Sequence, residues 1–275
     1  MKRATLAVGM LALLTLVAGI AEAQTSKSSK KKVTPKTATK VTTTTSKTAT
    51  TIVNVINSAV NPTTAAGGSS LTNTDYSNGL KEALKIAANK SAESASMLDG
   101  FNKNLDIRIP FPQEAVAVKD YALKLGLKYQ VELFEEKLNR AAEEAAKKAA
   151  PIFLAAIVNM SFADAAKIVA GDKNAATTYL RNTAGAELAN QFKPVVADAL
   201  SQVAITKYWK PLVEKYNAVT PFLGKQPVQA DLEQYVTDKA VAGLFVLVEK
   251  EEAKIRLEPV KYGSDLLKKI FGTTK

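Results

Sequence analysis

The strongest constraint on this chain is a stripe of apolar residues. Leu127, Val131, Phe134, Leu138, Ala141 and Ala145 recur at spacings of 4, 3, 4, 3 and 4. That period is helical and heptad-like, so these residues share one face of a long helix. The second half of the stripe is alanine, which lets a neighbouring helix approach closely. A later segment constrains the fold further. Ala240 to Val248 is nine residues without a charge, bracketed by Lys239 and Glu249. Apolar on all sides predicts burial on all sides, and the run is too short to cross a bilayer. Asp231 is placed to cap this helix, which runs to about Arg256.

Further helices fill the sequence around these two. Thr74 is read as the cap of a helix to about Met97, stopped by Asp99-Gly100. Ile107 to Pro112 reads as extended, because a residue before proline is pushed out of the helical region. Pro112 suits the first turn of a helix to about Leu125, and Gly126 ends it. Pro151 kinks the long helix or starts a new one to Met160. Ser161 with Asp164 forms a capping-box pattern for a short helix ending at Gly171. Separate helices are expected over 175–181, 183–203 with Pro194 as a break, and 206–216. Ser264 caps a last short helix closed by Gly272. No strand pattern of comparable strength appears. The expected class is all-α: a single multi-helix globular domain over about 71–275, around the buried helix 231–256.

The residues before this domain read differently. Met1-Lys2-Arg3 is a short positive region, Ala4 to Ile20 is almost continuously apolar, and Ala21-Glu22-Ala23 is a small-x-small cleavage site. This is the pattern of a signal peptide over 1–23. With no Cys in the chain there is no thiol to acylate, so a lipid anchor is excluded. The expected location is periplasmic or secreted, with no transmembrane span after cleavage. Residues 24–51 contain 11 Thr, 7 Lys and 4 Ser. Too few apolar groups are present there to offset chain entropy, so 24–70 is expected to be a disordered basic tail and linker. Within it, 52–60 admits one short helix or strand. The tail reads either as a solvated spacer or as a tether to an anionic envelope polymer or lipid surface.

Charge argues against a nucleic-acid partner. The net charge is +11, but residues 24–51 alone carry +7 and no acid. From residue 52 onward, 28 basic residues face 25 acidic ones. A duplex-binding face needs its excess charge on the folded part. The absence of both Cys and His removes thiol nucleophiles, His-based triads and the usual zinc, haem and iron–sulfur ligands. No cofactor and no metal site is expected.

Several motifs, taken in order, resemble a family of bacterial exported proteins named domain of unknown function 4197. They are Asp99-Gly100-Phe101, Ile107-Arg108-Ile109-Pro110 and Asn139-Arg140-Ala141-Ala142-Glu143. Ser161-Phe162-Ala163-Asp164-Ala165, Ala175-Ala176-Thr177, the run Asp231 to Ala240 and Asp265-Leu266-Leu267-Lys268-Lys269 continue the match. The resemblance covers about Leu71 to Gly272. It implies an exported, mostly helical domain and supplies no catalytic residues. Asn174 stands where the family pattern has Thr, an exchange between two capping residues.

Six residues are candidates for binding a ligand: Arg108, Asn139, Arg140, Glu143, Tyr235 and Lys239. Asn139 and Glu143 lie four apart on one helix face and suit a ligand's polar group. The plainer reading makes Glu143 point away from the apolar stripe. It leaves Arg140 in exposed i,i+4 pairs with Glu136 and Glu144, worth a few tenths of a kcal/mol each. Arg108, between two Ile in an extended segment, suits bidentate capture of a carboxylate or phosphate, or else satisfies helix C-terminal carbonyls. Tyr235 and Lys239 have the Tyr-x-x-x-Lys spacing of short-chain dehydrogenases. No glycine-rich turn follows a strand and no βαβ alternation exists, so a partly buried phenol with a lysine stem passing it explains the pair. Tyr208, Trp209, Tyr216 and Phe222 form an aromatic cluster that suits core packing or a pocket.

Three functions follow for testing. The leading one is a non-enzymatic binding or envelope-associated module. The second is a carrier of a small amphipathic or lipid ligand between helices. The third is a carboxylate-dependent hydrolase of envelope polysaccharide, which needs no His; its candidate acids include Glu132, Glu135, Glu136, Glu143, Asp164 and Asp172.

Overall fold

The structure, a computed structural model, describes residues 70–272. The signal-peptide, tail and 52–60 readings lie outside the described residues. Ten α-helices and two short 3-10 turns are present among the described residues, with no strand. The class is all-α, as the sequence implies.

Four long helices make the centre. They are α1 (Asn73–Ser96), α3 (Lys128–Ala146), α6 (Ala175–Gln202) and α9 (Leu232–Leu257). Helix α9 lies against α1 and α6 and also touches α3, while α3 packs on α1 and α6. Its residues Ala240, Val241, Gly243, Leu244, Phe245, Leu247 and Val248 are buried. The expectation of burial on all sides fails at two positions: Val246 is only half-buried and Ala242 is exposed. It faces a shallow groove between α9 and α6. The apolar stripe of α3 is buried from Val131 to Ala145, and on α1 Leu80, Ala83, Leu84, Ala87, Ala88 and Ala95 form its counterpart. Alanine on both helices brings the backbones close.

Shorter helices surround this centre. Helix α2 (Val116–Lys124) and α7 (Ile205–Asn217) pack on each other and on α3. Helices α4 (Ala149–Asn159), α5 (Ala165–Ala170) and α10 (Asp265–Phe271) pack on α1. A single turn, α8 (Thr220–Leu223), follows α7. Pro151 lies in the first turn of α4, so it starts a helix. None of the helices is long and apolar enough to cross a membrane.

The helix starts show where side-chain caps decide. Asp231 accepts from the Gln234 N–H and Ser264 from the Leu267 N–H, as expected. The cap of α1 is Thr72 rather than Thr74, in a reciprocal box with Asp75. The cap of α5 is Asp164 itself, which accepts from the Lys167 N–H; Ser161 is not the partner. Pro194 does not break α6, which runs unbroken for 28 residues. One missing N–H is outweighed by the packing of its buried face on α9 and α3. The helices expected separately over 175–181 and 183–203 are therefore one, and the expected gap before the next helix falls at Ala204, whose φ of 52° ends α6 and starts α7.

Candidate functional site

The segment between α1 and the first 3-10 turn (Gln113–Ala115) crosses the outer side of α3 and the middle of α9. Its turn is tight. Asp99 has φ 66°, a left-handed conformation that Asp tolerates better than most residues. A Cβ on Gly100 would lie 2.5 Å from the Ser94 carbonyl oxygen and 2.6 Å from that of Ala95. On α9, a Cβ at Gly243 would come within 3.1 Å of Phe101 and Ile107. A larger residue at Gly243 would make Phe101 and Ile107 give way by a few tenths of an ångström.

The Asn139–Glu143 motif holds that segment. Asn139, fully buried, accepts from the Ile109 N–H and donates to the Ile109 carbonyl, both at 2.8 Å, and to the Glu135 carbonyl. Glu143 accepts from the N–H groups of Phe101 (3.1 Å) and Asn102 (3.0 Å). Its other oxygen meets the Arg140 guanidinium at 2.7 Å. Arg140 reaches back to Asp99 at 2.8 Å, and Asn102 and Lys103 also donate to Asp99. Hydrogen bonds from Lys103, Arg140 and Asn102 pull the Asp99 pKa down to about 2. Burial works against the Arg140 cation, but hydrogen bonds and attraction from Glu143 and Asp99 outweigh it and its pKa is raised. Glu143 does point away from the apolar stripe, as expected, but that face is not the exposed one the plainer reading assumed: Glu143 is buried, because the loop covers it. Of the two expected i,i+4 pairs of Arg140, Glu136 is present at 3.4 Å. Glu144 pairs with Lys147 instead.

The other candidates lie around the same segment. Arg108 meets Glu135 at 3.0 Å and Lys119 takes the second Glu135 oxygen at 2.7 Å. Tyr235 donates its hydroxyl to the Pro110 carbonyl at 3.0 Å. Burial, then the nearby Glu114 and Glu135 charges, raise its pKa to about 12. Lys239 is exposed, 5.8 Å from the Tyr235 ring centre. The structure thus brings Arg108, Asn139, Arg140, Glu143 and Tyr235 to one loop, where each is engaged by the protein itself. The aromatic cluster divides. Trp209 stacks on Phe134 at 5.0 Å and Tyr216 meets Tyr121 at 5.9 Å, whereas Phe222 is exposed.

A broad concavity lies elsewhere, at the C-terminal end of α9. It measures about 880 Å³. Val169 at the end of α5 and Phe271 at the end of α10 form its inner wall, with Ala253 and Arg256 of α9. Leu257 and Val260 stand at its mouth, 72% and 68% exposed. Lys173, Lys261 and Glu258 supply its charges beside Arg256. Lys261 pairs with Glu258 at 2.8 Å. No partner of Lys173 is found among the described residues.

The Arg256 wall is fixed from behind. Arg256 donates to Glu252 at 2.8 Å and to the carbonyls of Val169 (2.7 Å) and Ile168 (3.1 Å). Its guanidinium lies 4.8 Å from the Phe271 ring centre. Glu252, fully buried, accepts from the N–H groups of Ala176 (3.0 Å) and Thr177 (2.7 Å) and from the Thr177 hydroxyl. Glu252, not Asn174, thus caps α6, since the Asn174 side chain makes no cap bond. Sequence reasoning missed Glu252 and the cleft. The one signal for Glu252 is its place four and eight residues after Val248 and Leu244, an acid on a core-facing stripe. Among the described residues, no cluster of acids suits a metal ion.

These features define a helical domain with a locked loop and a broad, mainly apolar cleft. Residues 70–272 match the family model described as Protein of unknown function (DUF4197), and the chain belongs to that family. No curated protein and no solved structure matches the chain.

Proposed function

We propose that this chain is an exported, non-enzymatic binding module and that it binds through the cleft at the end of α9. The observation that carries this reading is the cleft itself. Its volume of about 880 Å³ lies in the range of small-molecule sites, and its mouth keeps Leu257 and Val260 in water. The polar residues of the sequence motifs support the reading from the other side, since they are consumed in holding the 99–111 loop. Polysaccharide hydrolysis needs two carboxyls about the scissile bond. The cleft lining holds one, Glu258. Export rests on the signal-peptide pattern of residues 1–23, and the Lys-rich 24–51 segment serves as a tether to anionic envelope material.

Native mass spectrometry of the full-length gene product, recovered after export, tests this reading. The expected result is a chain beginning at Gln24 and carrying a reproducible small-molecule adduct. The variant Ala253→Trp, which fills the cleft, loses the adduct and keeps its thermal melt. A clean mass, or an adduct unaffected by Ala253→Trp, would overturn the binding role of the cleft. A chain beginning at Met1 would overturn export.

A further inference from the structure

The charges of the cleft narrow its ligand, given the reading of the cleft as the binding site. We infer that the ligand is a single-chain amphiphile with an anionic head, of the long-chain carboxylate class, bound as a monomer. The inner wall is apolar at Val169 and Phe271, and Ala253 leaves room beside them. A hydrocarbon chain laid there also covers Leu257 and Val260, so it removes exposed apolar surface from the protein as well as its own.

The head group follows from the unbalanced charge. Three cations and one acid line the cleft: Lys173, Arg256, Lys261 and Glu258. Lys261 is neutralised by Glu258, and Arg256 by the buried Glu252 behind the wall. Lys173 is left over, exposed on the turn between α5 and α6. A carboxylate head at the mouth meets Lys173 while remaining partly hydrated, and the chain runs inward over Phe271. A cationic head in that position faces like charge. A neutral head gains nothing from Lys173. The concave form argues for a monomer over a membrane surface, because a bilayer reaches the rim residues but not the buried Val169 and Phe271.

The test uses full-length mature protein and the fluorescent long-chain carboxylate cis-parinaric acid. Dodecanoate, dodecanol and dodecyltrimethylammonium compete for it at concentrations below micelle formation. The expected result is displacement by dodecanoate at a concentration at least ten-fold lower than by dodecyltrimethylammonium. Lys173→Glu weakens dodecanoate at least ten-fold with an unchanged thermal melt, and Ala253→Trp abolishes the fluorescence. Equal competition by all three heads, or an unchanged Lys173→Glu variant, overturns the anionic ligand while leaving the cleft as a binding site. Fluorescence that survives Ala253→Trp overturns the inference by placing the probe elsewhere. Sedimentation with phosphatidylglycerol vesicles without uptake of monomeric probe overturns it in favour of a membrane surface. Absence of any probe binding, with the native adduct still lost in Ala253→Trp, overturns the ligand class alone.

Discussion

Glu252 and Arg256 stand one turn apart on α9 and serve the ends of two other helices with opposite charges. The Glu252 carboxylate accepts from N–H groups in the first turn of α6, and the Arg256 guanidinium donates to the Ile168 and Val169 carbonyls in the last turn of α5. Each charge meets the helix terminus whose partial charge is opposite. The pair also joins across 2.8 Å, with both side chains nearly removed from water. One ion pair therefore orients α5, α6 and α9 together and builds a wall of the cleft.

Removing one partner leaves the other charge buried and unmatched. Glu252→Ala is expected to destabilise the domain by about 3–5 kcal/mol. Chemical denaturation checks this. Glu252→Gln keeps the shape and one acceptor, so it should lose less. Equal stability of Glu252→Ala and wild type would mean that the helix ends are satisfied without the carboxylate.

Asn139 is expected to matter for stability and not for ligand binding. Asn139→Ala strips the buried Ile109 N–H and carbonyl of their partners. Each such loss costs about 1–3 kcal/mol, so the variant should lose about 2–6 kcal/mol. Uptake by the cleft, measured below the lowered melting temperature, should be retained. A binding defect with an intact melt would place the ligand at the loop.

Gly100→Ala puts a methyl group against two backbone carbonyl oxygens, which cannot swing aside as a side chain can. A loss of about 1–3 kcal/mol is expected, read by the same denaturation curve. Gly126→Ala is the contrast: its Cβ meets nothing within 4 Å, and only its positive φ resists the change.

Acid should loosen the loop through Asp99. Its folded pKa of about 2 lies below the unfolded value of roughly 3.9. The stabilisation is therefore complete above the unfolded value and fades as pH falls through about 4 to 2. Asp99→Asn should flatten that part of the stability–pH curve. A curve of unchanged shape would assign the acid sensitivity to other carboxylates.

Much of this fold was legible because its signals are local. The spacing of Leu127 to Ala145 and the caps Asp231 and Ser264 act within a few residues, and each leads to the observed helix. Pro194 shows the limit: the local cost of a helical proline was outweighed by packing partners far away in sequence. Glu143 shows a second limit. Its helix face is polar-looking, and only the returning loop, some 40 residues earlier, makes that face interior. The loop motifs were visible as residues but not as a lock, because their partners are backbone groups, which no side-chain pattern reveals. The cleft was not legible at all. It is assembled from the ends of α5, α9 and α10, and exposed Leu257 and Val260 look ordinary until those ends meet.

One measurement separates the loop from the cleft. Amide hydrogen exchange is recorded on the purified protein before and after solvent extraction of bound small molecules. Extraction is expected to raise exchange around 169–173 and 253–261 and to leave 99–111 protected. Increased exchange centred on 99–111, or no change anywhere, would contradict that expectation.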